Sequence, residues 1–244
     1  VDTKRTTIKD LQNIMKEYEI LTQIHHPCIC ECIAMNPSEK VETITKEDDI
    51  KYEDEEEEEE KHEEVAITTF AIYLKYHPFN LRECLNQSFM TNTLKVKIAV
   101  EIAFAMSYIH QKGMIHRDLK LENVMLNYIF EAQLIDFGFA HVCNLSQSGE
   151  SLTTGVGTLA YMSPEMLNEE KYDCKTDVYS FGVLLFVLFT KHFPKQNHKD
   201  KLTNQKIRFP RPSSSISSFC IEIIKKCMTF EPSKRPSFDD ILND

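Results

Sequence analysis

The segment HRDLKLEN occupies residues 116–123, and the triplet DFG follows at residues 136–138. Four of their polar side chains form one set of two carboxylates, one ammonium and one amide: Asp118, Asp136, Lys120 and Asn123. A single His-Arg-Asp or Asp-Gly is usually a turn or a surface ion pair. The four groups in this order and spacing instead predict a catalytic site.

The four groups suit the transfer of a γ-phosphoryl group to an alcohol. Such a reaction needs a carboxylate that orients the hydroxyl and accepts its proton, a cation near the transferred group, and Mg²⁺ on oxygen ligands. Asp118 is the candidate carboxylate, and Lys120 is expected to reach the same face of an extended loop. Asn123 and Asp136 offer a neutral and an anionic oxygen to the metal.

Later segments extend this pattern and resemble the eukaryotic protein kinase family, serine/threonine type. Residues 157–165 (GTLAYMSPE) resemble its substrate-docking segment, with Ser163 in the place of the usual alanine. Residues 177–182 (DVYSFG) resemble the start of the buried helix of its large lobe. Arg235 lies where the family places the partner of Glu165. The resemblance covers roughly residue 6 to the end, with one insert.

This resemblance implies an α+β, two-lobed fold. The small lobe would be truncated at its N-terminus and would span residues 1–76, with one helix, antiparallel strands and an acidic insert at 46–64. Residues 77–244 would form a mostly helical large lobe with the catalytic loop and activation segment. The implied cofactors are ATP and Mg²⁺. The implied partners are a protein substrate with a serine or threonine acceptor and an upstream activating kinase.

The resemblance also implies roles for individual residues. The catalytic residues would be Asp118, Lys120, Asn123 and Asp136, the last two as metal ligands. The nucleotide-binding residues would be Glu17, Leu74, Tyr76, Met125, Phe137 and Gly138. The structural or regulatory residues would be His116, Arg117, Thr154, Thr158, Glu165, Asp177 and Arg235.

For three of these residues the resemblance implies a specific function. Asp177 would hold the backbone of the catalytic loop. Arg117 would form a cationic pocket for a phosphate on the activation segment. Thr154 is the predicted phosphosite, with Thr153 and Ser151 as alternatives.

The nucleotide and substrate positions leave alternatives open. Residues 74–77 resemble the hinge that binds adenine through its backbone, and Met125 could equally be an ordinary core residue. Lys120, together with Thr158, is typical of serine/threonine kinases. Glu122 resembles the position from which some family members hold a substrate arginine, and plain solvent exposure is its alternative.

A glycine-rich phosphate loop is missing from the sequence. The six glycines lie at positions 113, 138, 149, 155, 157 and 182, so no such loop can precede the catalytic loop. Residues 65–68 (VAIT) imitate the family's lysine strand but end in threonine, which predicts an ordinary strand. We expect the missing strands to lie before Val1. The alternative function is a pseudokinase or scaffold with impaired ATP binding, and this chain alone is expected to be weak or inactive.

An amphipathic helix is predicted near the start of the chain. Its apolar residues recur at helical spacing: Leu11, Ile14, Met15, Tyr18, Leu21 and Ile24. Thr7 and Asp10 resemble an N-terminal capping box. Glu17 lies at the edge of the apolar stripe, where a buried carboxylate would need a cation. Solvent exposure is the alternative for Glu17.

The net charge of −10 comes from one acidic run. Residues 47–64 hold 13 acidic and 2 basic side chains, whereas the remainder holds 25 and 26. The run should be a solvated, disordered insert between strands near 29–35 and 65–74. Docking of a basic partner or of the activation segment is the alternative. The nearly neutral remainder, without zinc spacing or interleaved aromatic and basic residues, argues against nucleic-acid binding.

The eight cysteines do not indicate a disulfide framework. No Cys-x-x-Cys pair is present, and Cys28, Cys30 and Cys32 alternate as if on one face of a strand. Reduced, buried thiols predict a cytoplasmic location, with the nucleus as the alternative. The longest apolar run, residues 181–189, is about half the ~20 residues of a membrane span, so it predicts a core helix. Further helices are predicted over 94–111 before Gly113, over 217–228, and after Ser237 with Asp240 as its cap.

Overall fold

The structure is a computed structural model that describes residues 8–40, 67–142, 159–195 and 216–244. Within these ranges the helices are α1 (Ile8–Gln23), α2 (Leu81–Cys84), α3 (Asn92–Gln111), α4 (Pro164–Leu167), α5 (Lys175–Thr190), α6 (Ser218–Cys227) and α7 (Phe238–Asn243). The strands are β1 (Cys32–Lys40), β2 (Ile67–Leu74), β3 (Phe79–Asn80), β4 (Met114–Ile115), β5 (Val124–Leu126), β6 (Ala132–Leu134) and β7 (His141–Val142). This combination of helices and antiparallel strands confirms the predicted α+β fold class.

In the small lobe, α1 packs against an antiparallel pair formed by β1 and β2. The pairing runs from Cys32 opposite Leu74 to Lys40 opposite Ile67. Two strands are therefore present as predicted, although β1 begins later than the sequence pattern suggests. Ile67, within the imitation of the lysine strand, is the first residue of β2 and belongs to an ordinary strand.

Among the α1 side chains that the structure describes, the buried ones lie near the end of the helix. Ile20 and Leu21 are buried, together with Ile24 just beyond the helix. Met15 is 45% exposed, so its predicted place in the buried stripe is wrong. Helical spacing identifies a stripe, but burial also requires a packing partner. The predicted cap residue Thr7 and the acidic insert lie outside the described residues.

An isolated β-bridge joins the segment after α1 to the large lobe. Cys30 N donates to Leu134 O at 2.9 Å, and Leu134 N donates to Cys28 O at 2.9 Å. Leu134 belongs to β6, the last strand of a three-stranded sheet in the order β3-β5-β6. Ile29 and Cys30 are both buried, and the bridge is isolated at Ile29. The prediction that Cys28, Cys30 and Cys32 alternate on one strand face is therefore wrong.

Helix α5 forms the centre of the large lobe. Its residues from Thr176 to Phe189 are all buried, which confirms the core helix predicted over 181–189. Gly182 allows α6 to approach closely, because a Cβ atom there would lie 2.6 Å from Met228 Cγ and 2.8 Å from Cys227 Cβ. Of the described helices, none has the length and apolar character needed to cross a membrane.

Several helix ends follow the predicted sequence signals. Gly113, just beyond α3, has a left-handed φ of +71°. Ser217, predicted only as the first residue of a helix over 217–228, is the cap of α6, and its Oγ accepts from Cys220 N at 3.1 Å. Ser237 and Asp240 form the predicted capping box of α7. These caps satisfy backbone groups that a helix end otherwise leaves without partners.

The seven cysteines in the described part of the chain are free thiols. Burial raises the pKa of Cys28 and of Cys30 to about 11. Burial likewise raises the pKa of Cys227 to about 12. Because the thiolate is the reactive form of cysteine, these three behave as small apolar residues.

Candidate active site

The catalytic loop brings three predicted side chains together at Asp118. Lys120 Nζ donates to Asp118 Oδ2 at 2.5 Å, and Asn123 Nδ2 donates to the same oxygen at 3.0 Å. Asn123 Nδ2 also donates to the backbone carbonyl of Asp118 at 2.9 Å. Asp118 and Asn123 are buried, and Lys120 is half-buried. The Asp118 carboxylate is thus held in one orientation by a cation and an amide.

The backbone of the loop is fixed by Asp177, a buried residue near the start of α5. Its Oδ2 accepts from His116 N at 2.8 Å, and its Oδ1 accepts from Arg117 N at 2.9 Å. His110 Nε2 lies 2.9 Å from Asp177 Oδ2. Burial would raise the pKa of the Asp177 carboxyl, but the contacts with His110 and His116 outweigh burial and hold that pKa below its usual range. The carboxylate therefore stays charged beside the two peptide N–H groups.

Two non-glycine residues of the site have a left-handed backbone. The angle φ is +66° at Arg117 and also at Asp136. Such a conformation costs roughly 1–3 kcal/mol and persists only where surrounding contacts enforce it. At Arg117 the Asp177 carboxylate supplies one such contact. Strained backbone of this kind concentrates at functional sites, and both residues belong to the predicted one.

The DFG triplet lies against α1 through Glu17. Phe137 N donates to Glu17 Oε1 at 3.3 Å. A Cβ atom on Gly138 would lie 3.4 Å from Asp136 Oδ1 and 3.5 Å from Glu17 Oε2, so both carboxylates flank this glycine. Burial and the charge of Asp136 raise the pKa of Glu17, and the hydrogen bond from Phe137 N lowers it in part. Glu17 is half-buried, and within the described ranges no lysine or arginine pairs with it.

His116 connects the catalytic loop to the same triplet. Its fully buried ring lies 5.1 Å from the ring of Phe137, measured between centroids. His116 Nδ1 accepts from Asp118 N at 3.3 Å. The imidazole therefore packs on one side against the DFG segment and on the other orients the peptide of the candidate catalytic residue.

The guanidinium of Arg117 is engaged with the segment beyond DFG. Its Nε donates to Phe139 O at 2.6 Å, and its Nη1 donates to the Tyr172 hydroxyl at 3.0 Å. A phosphate-binding role for Arg117 stays a prediction. The residues that would complete it or the docking segment, Thr154, Thr153, Ser151 and Thr158, lie outside the described residues.

Glu165 and Arg235 form a buried, bidentate ion pair. Arg235 Nη1 donates to Glu165 Oε1 at 2.6 Å, and Nη2 donates to Oε2 at 2.8 Å. Arg235 Nε also donates to Thr229 O at 2.7 Å, and the guanidinium lies 5.0 Å from the centroid of the Tyr179 ring. Parallel hydrogen bonds of this kind fix geometry as well as charge. The pair ties the end of the docking segment to the large lobe.

Ser163, the departure from the family's Ala-Pro-Glu pattern, is fully buried. Its Oγ lies 2.6 Å from Thr176 Oγ1 at the start of α5. The two hydroxyls satisfy each other, which allows a polar side chain at this buried position. The sequence carries no sign of this contact because the two residues belong to separate segments.

The residues predicted to face a nucleotide are less buried. Leu74 and Met125 are half-buried, and Met125 Sδ accepts a weak hydrogen bond from Asn80 Nδ2 at 3.6 Å. Tyr76 is 74% exposed, and its ring lines a cavity of about 570 Å³ that contains none of the predicted catalytic residues. Only the backbone of Tyr76 is left for the adenine contact that the hinge resemblance implies. The nucleotide contacts of these three residues stay predictions.

Sequence reasoning misses His110 in the last turn of α3. Burial would lower the pKa of its imidazole, but hydrogen bonds with Asp177 and Cys174 raise that pKa to about 9. His110 therefore carries a positive charge at neutral pH and balances the buried Asp177 carboxylate. The only available signal is a histidine six residues before His116, which is too common a feature to interpret alone.

Comparison with known proteins agrees with the geometry. The family description "Protein kinase domain" matches residues 1–244. Serine/threonine/tyrosine-protein kinase HT1 of Arabidopsis thaliana is 36% identical over 172 residues, which cover 67% of this chain and 43% of that protein. RGS domain-containing serine/threonine-protein kinase A of Dictyostelium discoideum is 36% identical over 151 residues, 61% of this chain and 13% of that protein.

A third relative covers nearly all of the chain. Serine/threonine-protein kinase kin-29 of Caenorhabditis briggsae is 29% identical over 242 residues, 96% of this chain and 26% of that protein. The chain thus spans less than half the length of each of these relatives. Because the family match extends over the whole chain, the chain belongs to the protein kinase domain family.

Proposed function

We propose that this chain is the catalytic domain of a serine/threonine protein kinase, which transfers the γ-phosphoryl group of ATP to seryl or threonyl hydroxyls of a protein. The observation that carries the proposal is the convergence of Lys120 and Asn123 on one oxygen of Asp118. The other oxygen, Oδ1, accepts no hydrogen bond from any described residue. A carboxylate held in this way can orient an alcohol and accept its proton as the alcohol attacks phosphorus.

Lys120 adds electrostatic stabilisation to this step. Its ammonium lies beside Asp118, where an acceptor hydroxyl would be placed, so its charge opposes the negative charge on the transferred group. The hold of Asp177 on the loop keeps these groups in place before the substrate arrives. Less reorganisation is then needed in the transition state.

The side chains present fit Mg²⁺ and ATP. The amide nitrogen of Asn123 is committed to Asp118, which leaves the amide oxygen for a metal. Asp136 adds a half-buried carboxylate. Oxygen donors of this kind are the ligands that Mg²⁺ prefers, and bound Mg²⁺ would neutralise charge on the ATP phosphates. Asn123 and Asp136 would hold the metal, and the proposed nucleotide-facing residues are Glu17, Leu74, Tyr76, Met125, Phe137 and Gly138.

The choice of serine and threonine acceptors rests on the sequence and on the relatives. Lys120 two residues after Asp118 is typical of serine/threonine kinases. Two of the three relatives are named serine/threonine-protein kinases, and the third is named a serine/threonine/tyrosine-protein kinase. Activation by an upstream kinase at Thr154 belongs to the same proposal. So does a cytoplasmic or nuclear location, which the free thiols of the described cysteines support.

Phosphate transfer to a generic basic protein tests the proposal. The full-length protein is compared with its Asp118→Asn and Asp136→Ala variants, and Glu83→Gln, an exposed residue of α2, serves as the matched control. Asp118→Asn should lose at least about 10²-fold in rate, the usual contribution of an acid–base group. Asp136→Ala should also lose most of its activity, because it removes a proposed Mg²⁺ ligand, while the control keeps its rate. Analysis of the product should show phosphoserine or phosphothreonine. Equal rates for wild type and Asp118→Asn would refute the enzyme proposal.

A pseudokinase or scaffold is the second candidate. The observation in its favour is that Glu17 pairs with none of the lysines and arginines whose side chains the structure describes. MgATP binding to the full-length protein separates the two candidates. Binding is detected as a change in the thermal unfolding midpoint of the protein. A midpoint that MgATP raises in the wild type and not in Asp136→Ala supports the kinase. No effect of MgATP together with no transfer supports the scaffold.

A further inference from the structure

Glu122 and three residues from other segments, Arg82, Phe193 and Tyr161, form a connected cluster. Glu122 Oε1 lies 3.6 Å from Nε of Arg82, which belongs to α2. The Arg82 guanidinium lies over the ring of Phe193, 5.6 Å from its centroid, and Phe193 meets the Tyr161 ring edge-on at 5.4 Å. Burial raises the pKa of Tyr161, and the neighbouring charge of Glu122 raises it further. These four residues are called the Arg82 cluster below.

The Arg82 cluster adjoins both surfaces that a protein substrate would touch. Glu122 lies between Lys120 and Asn123 in the catalytic loop, and Tyr161 lies inside the docking segment. Asn80 Nδ2 donates to Glu122 O at 2.9 Å, which fixes the loop beside the start of α2. An acceptor hydroxyl at Asp118 would therefore bring its flanking residues close to Arg82 and Glu122.

The charges of the cluster are incompletely paired. Glu122 Oε2 and the Tyr161 hydroxyl are buried near each other, and neither forms a hydrogen bond of standard geometry with a described residue. The contact between Arg82 and Glu122 is longer than a hydrogen bond, and their side chains are 39% and 42% exposed. Exposed pairs of this kind contribute at most about 1 kcal/mol.

The guanidinium of Arg82 thus has two properties at once. Its charge lies beside Glu122 and offsets it, yet no residue in the described ranges accepts a hydrogen bond from its side chain. Arginine offers five N–H donors in a planar fork that matches a carboxylate or a phosphate. The fork is therefore available to an anionic group on a substrate.

We propose that Arg82 determines which protein substrates are accepted: it disfavours a basic residue beside the acceptor hydroxyl and favours an acidic one. The inference rests on the proposed function, since it concerns the substrate of the same site. A substrate cation that approaches Glu122 meets the positive charge of Arg82. A substrate carboxylate can instead receive two parallel hydrogen bonds from the guanidinium.

A set of matched peptides tests this inference with the full-length protein. The peptides carry one acceptor serine and differ only in a single Glu, Ala or Arg at each of the three preceding positions. The ratio of kcat/KM for the Glu and Arg peptides is measured for wild type, Arg82→Ala, Arg82→Lys and Lys226→Ala. Lys226→Ala is the matched control, because it removes one positive charge from α6, where the partners of Lys226 are Glu222 and Asp244. Fluorescence anisotropy of labelled peptides gives the same ratio for binding alone.

At one or more positions the wild type should prefer Glu over Arg. Arg82→Ala should shift that ratio toward Arg by about threefold or more, within the range of an exposed ion pair. Arg82→Lys should keep the sign with a smaller ratio, because lysine lacks the fork. Lys226→Ala should leave the ratio unchanged.

Two results would overturn the inference: a wild-type preference for Arg, or equal ratios for wild type and Arg82→Ala in both transfer and binding. Transfer that persists in either case leaves the proposed function standing. Absence of transfer to every peptide would count against the proposed function, while the anisotropy ratios still decide the role of Arg82.

Discussion

The carboxylate of Asp177 accepts the backbone N–H of Arg117 at 2.9 Å and holds Arg117 at a φ of +66°. The neighbouring N–H of His116 donates to the other carboxylate oxygen at 2.8 Å. A left-handed conformation is costly for arginine, so it needs such support. A buried side chain of the central helix thus imposes the shape of the catalytic loop.

Asp177→Asn should therefore weaken both the fold and the activity. The amide replaces one acceptor oxygen with an N–H group that faces the N–H groups of the loop. A hydrogen bond to a charged group contributes about 1.5–3 kcal/mol, so the free energy of unfolding should fall by about 2 kcal/mol. Phosphate transfer should fall at least about tenfold, mainly in kcat. Urea unfolding and steady-state kinetics measure the two effects, with exposed Glu83→Gln as the control. A normal kcat in a stable Asp177→Asn protein would contradict the prediction.

The contact between His110 and Asp177 predicts a loss of stability at alkaline pH. The pKa of His110 is about 9 in the folded chain, above the ordinary 6.5. A pKa raised by folding stabilises the fold fully below the unfolded value, and this contribution disappears as the pH rises through the folded value. The free energy of unfolding should thus decline between about pH 6.5 and 9, by about 3 kcal/mol at most. The lowered pKa of Asp177 acts at the acidic end, where its contribution is lost as the pH falls through the folded value.

Denaturant midpoints at a series of pH values measure this dependence. His110→Gln should be less stable near pH 6 and should show a flatter profile up to pH 9, because the titrating group is gone. The control is His192→Gln, an exposed residue just beyond α5, which should keep the wild-type profile. A His110→Gln profile as steep as that of the wild type would assign the alkaline loss to another group.

Removal of Arg235 should destabilise the large lobe strongly. Arg235→Ala leaves the buried Glu165 carboxylate without its cation, which costs about 3–5 kcal/mol for buried pairs. The stability of Arg235→Lys should lie between those of the wild type and Arg235→Ala, since lysine keeps the charge and loses the second hydrogen bond. Exposed Lys234→Ala removes the same charge one residue away and should change the unfolding free energy by less than about 0.5 kcal/mol. Equal losses for Lys234→Ala and Arg235→Ala, measured by urea unfolding, would refute this explanation.

Replacement of Gly182 or of Gly113 by alanine should destabilise the fold, for a different reason at each position. Gly182→Ala forces α5 and α6 apart, because its Cβ would lie 2.6 Å from Met228 Cγ, and overpacking typically costs about 1–3 kcal/mol. Gly113→Ala meets no atom within 4 Å, but it places a side chain at a φ of +71°, which costs about 1–2 kcal/mol. Asn at position 113 should recover part of the loss, since Asn tolerates this backbone. Gly182→Asn should instead destabilise the fold more than Gly182→Ala does, because asparagine is larger than alanine. Thermal unfolding of the four variants measures these effects.

The parts of the structure that the sequence predicts are those that local chemistry determines. The run of apolar residues over 181–189 can only be a buried helix or strand, and its length favours the helix observed in α5. The cap at Ser237 lies next to the backbone group that it satisfies. The cluster of Asp118, Lys120 and Asn123 lies within one loop, so spacing alone brings the three side chains together.

The parts that the sequence does not predict depend on partners distant in the chain. Met15 fits the helical stripe and is exposed, because periodicity does not report what packs against a helix. His110 and Thr176 join the site only because α3 and α5 deliver them to it. Arg82 reaches Glu122 only because α2 starts beside the catalytic loop. Contacts between distant segments produce no periodic pattern in the sequence, so the sequence pattern does not predict them.

The bridge at Leu134 has a mechanical consequence. Leu134 lies two residues before Asp136 and is bonded on both of its peptide groups to the segment that follows α1. Phe137, one residue after Asp136, is bonded to Glu17 of the same helix. Asp136 therefore lies between two fixed points, one on residues 28–30 and one on Glu17 of α1. A displacement of α1 together with the segment that follows it would be transmitted to Asp136 through these hydrogen bonds.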